Sequence, residues 1–241
     1  MNQSKFLISC PCLSGKLHTQ ECIESVIHKP NIDCLFIDNG AEQEVKDLLD
    51  FYERSYSNFK VLHFEINTFV NPAINSGMQY FLDHPEYDYF ISINNDLILY
   101  NNWDQVIRKR LALYPNEICL PTIIDDKLFT NMNMDSEPVE GDVITGGVNG
   151  VFMIFNRAQI KAVYPIPEII KIWFGDNYLF SICREIGYKT VMSSNFIGYH
   201  AHSQTVSRVV GISEMIEDDK VNWEKIVVPM MLDRIEELNR K

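Results

Sequence analysis

The amino-acid sequence predicts an α/β fold, in which helices flank a mostly parallel, Rossmann-like sheet within a single domain. Short apolar segments rich in β-branched and aromatic residues alternate with amphipathic segments through the first hundred residues. Polar residues follow several of these apolar segments, at the position where open α/β sheets bind their ligands. The chain has 241 residues, which is long enough for one large domain, or for a core with a small appendage.

The first hundred residues read β-α-β-α-β-α-β, the order typical of a parallel sheet with right-handed crossovers. The predicted strands are 5–10, 32–37, 60–65 and 89–93, and the predicted helices are 18–28, 42–56 and 71–82. The second helix carries Val45, Leu48, Leu49 and Tyr52 at helical spacing. The third helix is predicted to begin at Asn71-Pro72, a usual pairing of N-cap and first helical residue.

The second half of the chain continues with helices and strands at less regular spacing. We predict helices at 103–114, 158–163 and 173–186, strands at 117–124, 151–155 and 188–193, and polar loops at 125–142 and 200–207. Residues 212–239 are predicted to be largely helical. We therefore divide the chain into a domain over 1–211 and a C-terminal helical segment over 212–241, which either packs on that domain or forms a dimer or partner surface.

Composition limits the classes of function. The net charge of −12 argues against a broad surface for nucleic-acid phosphates. The six cysteines include no CxxC pair, so reduced core thiols are expected rather than a zinc site. The apolar stretch at the N-terminus is too short for a signal peptide, and no run approaches the roughly 20 apolar residues of a membrane span. We expect a cytoplasmic protein.

Polar clusters at the ends of two early strands are candidate ligand contacts. The segment Pro11-Cys12-Leu13-Ser14-Gly15 follows the first strand, and Asp38-Asn39-Gly40 follows the second. A carboxylate at such a strand end can accept hydrogen bonds from a base edge or a ribose hydroxyl, although Asn-Gly is also a strong turn dipeptide. The segment from Asn71 to Gly77, which includes Asn75, opens a helix whose free N–H groups could face a phosphate or serve ordinary capping.

Asn94-Asn95-Asp96 interrupts an apolar run directly after the fourth strand. Asp96 offers hard oxygen donors that suit Mg²⁺ or Mn²⁺ when a second ligand and a diphosphate are present. His200 and His202 are candidate partners, but residues two apart point to opposite sides of an extended chain, so one of them at most is expected to reach a metal.

Trp173-Phe174-Gly175-Asp176 places an acidic residue behind two large aromatic residues at the start of a predicted helix. Asp176 could be a simple N-cap, or it could be a general base. Apolar neighbours raise the pKa of a carboxylate, whereas a helix N-terminus lowers it. Gly146, Gly147 and Gly150 allow a ligand to approach the backbone closely, or form a tight turn before a strand.

Taken in order, these segments resemble a family 2 glycosyltransferase with the GT-A fold, over roughly residues 5 to 225. The matching segments are FLISCPC, IDNG, NPAINSG, NND in place of the family's DxD metal motif, GGVNGVFMIF and FGDNYLFSICREIGYK. His200 with Ser203 and Thr205 resembles a loop that closes on a diphosphate, and Asp218-Asp219-Lys220 with Trp223 resembles a common C-terminal stretch. The chain departs from the family pattern at Asn94, at Gly175, which replaces the usual glutamate, and in the first strand.

The resemblance implies an inverting transferase that uses a nucleotide-sugar donor and a divalent cation, Mn²⁺ or Mg²⁺. Residues 1–100 would form the donor half, and 101–211 the acceptor half. The implied donor-binding residues are Pro11, Cys12, Asp38, Asn39, Asn75, Asn95 and Asp96, and the implied acceptor-binding residues are Gly147, Asn149, Gly150 and Trp173. Asp96 and His200 would bind the metal, and Asp176 would be the general base.

Two other hypotheses, and the identity of the acceptor, stay open on the sequence alone. A nucleotidyltransferase would need a basic, glycine-rich loop after the first strand, and the segment LSGK is a poor version of one. A non-catalytic nucleotide-sugar-binding protein would accommodate the altered NND motif. The acceptor could be a saccharide or another hydroxyl-bearing compound. Nucleic acid, including the modified bases of viral DNA, is disfavoured by the negative charge.

Overall fold

The computed structural model describes residues 4–124, 142–143, 150–201 and 211–240. Its main sheet has five strands in the order β3-β2-β1-β4-β8. These strands are β1 (Phe6–Cys12), β2 (Ile32–Asn39), β3 (Phe59–Phe64), β4 (Tyr89–Ile93) and β8 (Phe152–Asn156). The first four strands run parallel, and β8 pairs with β4 in the antiparallel sense. The predicted α/β class with a mostly parallel sheet is therefore confirmed.

Strand β1 continues two residues beyond its predicted end at residue 10. Pro11 and Cys12 pair with Ile37 and Asp38 of β2, whereas the pairing of β1 with β4 ends at Ser9. Beyond Ser9 the strand is bordered on one side only. This position is compatible with a proline, which has no N–H to offer a second neighbour.

A second sheet has the order β5-β9-β6, and β7 also pairs with β9. Its strands are β5 (Leu97–Leu99), β6 (Ile118–Ile124), β7 (Asp142–Val143) and β9 (Thr190–His200). The sequence reading missed β5 because a strand of three residues is too short to show a period. Strand β9 is longer than the predicted 188–193 and ends at His200, which the sequence placed in a loop.

Helices cover both faces of the main sheet. They are α1 (Lys16–Val26), α2 (Gln43–Ser55), α3 (Val70–Asp83), α4 (Trp103–Leu113), α5 (Arg157–Val163), α6 (Gly175–Glu185), α7 (Ile212–Asn222) and α8 (Val228–Asn239), with a π-helical turn, Trp223–Val227, between the last two. Alternate residues of β1 point to opposite faces, so Ile8 packs with α1, α2 and α4, and Leu7 packs with α3, α5 and α6. This two-sided burial explains why the strands read as continuous apolar runs.

The C-terminal segment lies on the second of these faces. Val227, Met231 and Ile235 are buried in the same apolar cluster as Leu179 and Phe180 of α6. Met230 and Leu232 are exposed. The division of the chain at residue 211, and the dimer, remain predictions. None of the helices in the described ranges has the length and hydropathy that crossing a membrane would require.

Candidate active site

A cleft of about 410 Å³ opens at the carboxyl ends of β1, β2 and β4, and the first turns of α3 and α6 form its opposite wall. The structure brings nine of the predicted site residues to this cleft: Pro11, Cys12, Asn39, Asn95, Asp96, Gly150, Trp173, Asp176 and His200. Asp38 and Asn75 do not line it. Gly147, Asn149 and His202 lie outside the described residues.

Asp96 and His200 meet although 104 positions separate them in the chain. Leu97 pairs with His200 across the antiparallel strands β5 and β9, and the N–H of Ala201 donates to the Asp96 carbonyl at 2.9 Å. This register brings His200 Nε2 within 3.0 Å of Asp96 Oδ1, and both residues are buried. The paired strands thus hold a carboxylate and an imidazole together at the wall of the cleft.

A carboxylate oxygen and an imidazole nitrogen are a donor set that fits Mn²⁺, and the carboxylate also suits Mg²⁺. Within the described ranges no group of three or more His, Cys, Asp and Glu side chains could hold a metal ion. A cation bound by Asp96 and His200 would therefore take further ligands from a bound diphosphate and from water, which is how Mg²⁺ sites are commonly completed.

Asn95, in the turn between β4 and β5, forms hydrogen bonds to the start of α1. Its Nδ2 donates to the Ser14 carbonyl and to Thr19 Oγ1, both at 2.9 Å. Asn95 is buried and its amide hydrogens are committed to these two acceptors. Its contribution to the cleft is therefore to fix the backbone that precedes Asp96.

Asn39 organises the loop that follows β3. Its Oδ1 accepts hydrogen bonds from the Thr68 N–H at 2.9 Å and from Thr68 Oγ1 at 2.7 Å, and its Nδ2 donates to Asn67 Oδ1 and to the Phe69 carbonyl, both at 3.1 Å. Phe69 has φ of 70°, a positive value that is uncommon for a residue with a side chain. The four bonds of Asn39 hold this loop at the rim of the cleft.

Two residues that the resemblance assigned to the donor are engaged elsewhere. Asp38 Oδ1 accepts from the Ala41 N–H at 2.8 Å, and Oδ2 lies 3.0 Å from His63 Nδ1. Asn75 exchanges two hydrogen bonds of 2.8 Å with the backbone of Ile166. The Asp38 side chain, at the end of β2, thus holds the turn that follows this strand, and Asn75 lies at a contact between α3 and the segment after α5.

Asp176 is the second residue of α6 and faces the cleft. The N-cap is Phe174, so the alternative prediction that Asp176 caps this helix is wrong. Burial raises the pKa of Asp176, while hydrogen bonds from the backbone N–H groups of Asn177, of Asp176 itself and of Gly150 oppose that rise. A Cβ on Gly150 would lie 3.2 Å from Asp176 Oδ2, so the backbone at residue 150 closely approaches the carboxylate.

The segment before α6 carries Trp173, whose side chain is 48% exposed at the cleft. Two side chains to which the sequence analysis gave no role at the site hold this segment. Asn71, predicted as an N-cap, lies within α3, and its Nδ2 donates to the carbonyls of Ile170 and Trp173, both at 3.1 Å. Asp219 of α7 accepts hydrogen bonds from three consecutive N–H groups of the same segment. A sequence shows an acidic residue on a helix, but not the loop that the helix will meet.

Comparison with known proteins agrees with the fold. The family model described as Glycosyl transferase family 2 matches residues 12–165. No protein with a curated description matches the sequence. Among solved structures, S. aureus TarS 1–349 in complex with UDP-GlcNAc shares 13% identity and a TM-score of 0.64, covering 92% of this chain and 67% of that chain. The mannosyltransferase PcManGT from Pyrobaculum calidifontis, in complex with GDP-Man and Mn²⁺, shares 9% identity and a TM-score of 0.66, covering 99% and 74%.

The chain is shorter than the TarS structures that it resembles. It covers 60% of one structure of TarS 1–349 and 44% of the longer TarS structure. At these levels of identity the likeness concerns the fold.

Proposed function

We propose, because the chain belongs to glycosyl transferase family 2, that this glycosyltransferase moves a sugar from a nucleoside diphosphate to an acceptor hydroxyl with inversion at the anomeric carbon. The proposal rests chiefly on one observation: the Asp96–His200 pair and the Asp176 carboxylate face the same cleft at the strand ends. A pair of metal-binding groups and a separate carboxylate are the parts that leaving-group departure and hydroxyl activation require.

The donor is proposed to lie along the strand-end wall of the cleft. Pro11 and Cys12 at the end of β1 and the loop held by Asn39 would form the nucleotide end of this wall. Asp96 and His200 would hold Mn²⁺ or Mg²⁺ against the diphosphate, where a bound cation supplies Lewis-acid stabilisation of the leaving group. The structures of TarS with UDP-GlcNAc and of PcManGT with GDP-Man and Mn²⁺ support this choice of donor class.

Asp176 is proposed to be the general base. As the acceptor oxygen forms its bond to the anomeric carbon and the bond to the diphosphate breaks, the carboxylate takes the proton of the acceptor hydroxyl. Burial raises the pKa of Asp176, which makes the carboxylate a stronger base than an exposed aspartate. The Gly150 N–H would help orient the carboxylate, and a side chain at residue 150 would press against it, since a Cβ there lies 3.2 Å from Asp176 Oδ2.

Trp173 is proposed to form a wall of the acceptor site, together with Gly150. The indole is exposed at the cleft and lies three positions before the proposed base. A flat aromatic surface of this kind suits the apolar face of a sugar ring, and a carbohydrate or another hydroxyl-bearing compound is the acceptor class that we propose.

The proposal is tested by thermal melts with UDP-, GDP-, dTDP- and CMP-sugars, with and without Mn²⁺. A ligand at 100 times its Kd that binds only the folded state adds about 2.7 kcal/mol to the free energy of unfolding. We expect a Mn²⁺-dependent shift with one nucleotide class, absent in Asp96→Ala and retained in Asp233→Ala, an exposed aspartate on α8.

The matching donor is then incubated with candidate acceptors, and the anomeric configuration of the product is read by NMR. Product of inverted configuration supports the whole proposal. A metal-dependent shift without turnover by any acceptor would favour the non-catalytic nucleotide-sugar-binding protein. No shift with any nucleotide would overturn the donor site.

A further inference from the structure

Asp219 is a buried carboxylate on α7 that serves the segment leading to Asp176. Its Oδ1 accepts from the Lys171 N–H at 2.8 Å, and its Oδ2 accepts from the N–H groups of Ile172 and Trp173 at 2.7 and 2.9 Å. Asp219 is 1% exposed, so these three N–H groups replace the water that an ionised carboxylate would otherwise need. The three bonds fix the backbone of three consecutive residues.

The same segment has further attachments to the C-terminal helices. Asn222 Nδ2 donates to the Ile169 carbonyl at 3.1 Å, and the Phe174 ring stacks on Trp223 with centroids 5.3 Å apart and planes inclined by 12°. Phe174 has φ of 63°, so the chain turns sharply at the residue before α6. Residues 169–174 are thus held by α7 and by the π-helical turn on one side, and by Asn71 on the other.

The position of residues 169–174 bears on the proposed chemistry because this segment includes Trp173 and leads to Asp176. Trp173 faces the cleft, and Asp176 follows Phe174 by two positions. The donor side of the cleft, formed by Asn39, Asp96 and His200, is built on β2 and on the β5–β9 pair, which Asp219 does not contact in any bond described above. A shift of residues 169–174 would therefore move the proposed base and the acceptor wall relative to a donor that stays in place.

We propose that Asp219 is a positioning residue, whose carboxylate sets the conformation of residues 169–174 and thereby aligns Asp176 and Trp173 for transfer. The alignment role rests on the proposed function, whereas the conformational role does not. A misplacement of about 1 Å in a catalytic group costs on the order of 100-fold in rate. Asp219 would thus control turnover without touching either substrate.

The kinetic test compares Asp219→Asn with Asp218→Asn, which removes the same charge from the adjacent, exposed position of α7. The asparagine offers an NH₂ group that cannot accept from an N–H, so the segment loses part of its support. We expect kcat to fall about 30-fold or more in Asp219→Asn with the KM for the donor within about twofold, and Asp218→Asn to match the wild type. Equal kcat values in the two variants would overturn the proposal.

A fluorescence measurement, which does not depend on sugar transfer, tests this inference separately from the proposed function. Trp103 is buried, Trp173 is 48% exposed, and Trp223 is half-buried against Phe174. Acrylamide quenching of tryptophan fluorescence is therefore measured in a Trp223→Phe background, where it is sensitive to the environment of Trp173. We expect stronger quenching in Asp219→Asn than in Asp218→Asn in this background, and no such difference when both variants also carry Trp173→Phe. Unchanged quenching would overturn the conformational role, even if the wild type transfers no sugar from any donor.

A milder variant keeps the test decisive if Asp219→Asn does not fold. Asn222→Ala removes only the hydrogen bond to the Ile169 carbonyl at the start of the same segment. We expect kcat to fall about threefold to tenfold, since a single neutral hydrogen bond contributes about 1 kcal/mol, with the donor KM unchanged. A kcat equal to that of Asp218→Asn would count against the proposal.

Discussion

The side-chain amide of Asn71 occupies the space beside Gly175, so that a Cβ added at Gly175 would overlap Asn71 Oδ1. Asn71 is held there by the hydrogen bonds from its Nδ2 to the carbonyls of Ile170 and Trp173. This contact gives a physical reason for the departure seen in the sequence, where Gly175 stands at the position that the resemblance would fill with glutamate. A larger residue would have to displace the side chain that braces the segment before the proposed base.

Gly175→Ala is therefore expected to destabilise the protein by about 1–3 kcal/mol, the usual range for overpacking a filled site. Denaturant unfolding measures the change in free energy. The matched control is Asn177→Ala, at an exposed position of the same helix turn. In a double-mutant cycle, Asn71→Ala should remove most of the extra cost of Gly175→Ala, because the overlapping atom is gone. Strict additivity of the two changes would contradict the clash.

Asp176→Asn is expected to lower kcat by about 100-fold to 10,000-fold, the usual contribution of a general base, while donor binding is retained. The variant keeps the shape of the side chain and removes its basicity. The measurement is initial rate together with a melt in the presence of donor and Mn²⁺. Turnover equal to that of the wild type would show that another group accepts the proton.

Although Asp176→Asn is expected to lower kcat, it is not expected to lower stability at neutral pH. Burial raises the pKa of Asp176 in the folded state, so protonation stabilises the fold at low pH, and this contribution is lost as the pH rises through the folded pKa. At neutral pH the ionised carboxylate is therefore a cost that the neutral amide avoids. We expect Asp176→Asn to melt at or above the wild type at neutral pH, with the advantage shrinking toward acid. The exposed control, Asp233→Asn, should show no such dependence on pH. If Asp176→Asn melted below the wild type by the same amount at neutral and at acid pH, the expected direction of the pKa effect would be contradicted.

Asn39→Ala is expected to weaken donor binding rather than the chemical step. The substitution removes four hydrogen bonds that hold the partly buried residues Asn67, Thr68 and Phe69, and each such bond contributes about 0.5–1.5 kcal/mol. The loop at the nucleotide end of the cleft would then have to be ordered by the donor. We expect the KM for the donor to rise at least about tenfold and kcat to change less, with the exposed Asn101→Ala as control. A change in kcat without a change in the donor KM would contradict a role of this loop in donor binding.

The sequence was sufficient to locate the strands of the main sheet because β1, β2, β4 and β8 are buried on both faces and therefore read as apolar runs between amphipathic helices. The sequence also indicated that Asp96 lies at a strand end of the cleft, since it interrupts an apolar run directly after a strand. Its contact with His200 was not, because that contact depends on β5, which is too short to show a period, and on the extension of β9 to residue 200. Periodicity describes each segment by itself, whereas a pairing register is a property of two segments.

The sequence also could not separate polar residues that face the cleft from those that face the protein. Asp38, Asn39 and Asn75 were all assigned to the donor, yet of these three only Asn39 lines the cleft. The hydrogen-bond partners decide the difference: Asp38 meets Ala41 and His63, and Asn75 meets Ile166. The contribution of Asp219 was hidden for the same reason, because the segment that it binds lies 46 to 48 positions earlier in the chain.

Removal of either proposed metal ligand is expected to abolish the Mn²⁺-dependent part of donor binding while leaving the fold intact. Asp96 and His200 are each other's hydrogen-bond partners, so Asp96→Asn keeps a polar contact with the imidazole and His200→Gln keeps one with the carboxylate. These variants therefore test metal binding with little loss of packing. In melts with donor, the stabilisation of about 2.7 kcal/mol expected at 100 times Kd should depend on Mn²⁺ in the wild type and fall to the metal-free value in both variants. A chelator should have the same effect on the wild type and none on the variants. If His200→Gln kept the full Mn²⁺ dependence while Asp96→Asn lost it, the histidine would be a partner of Asp96 and not a ligand.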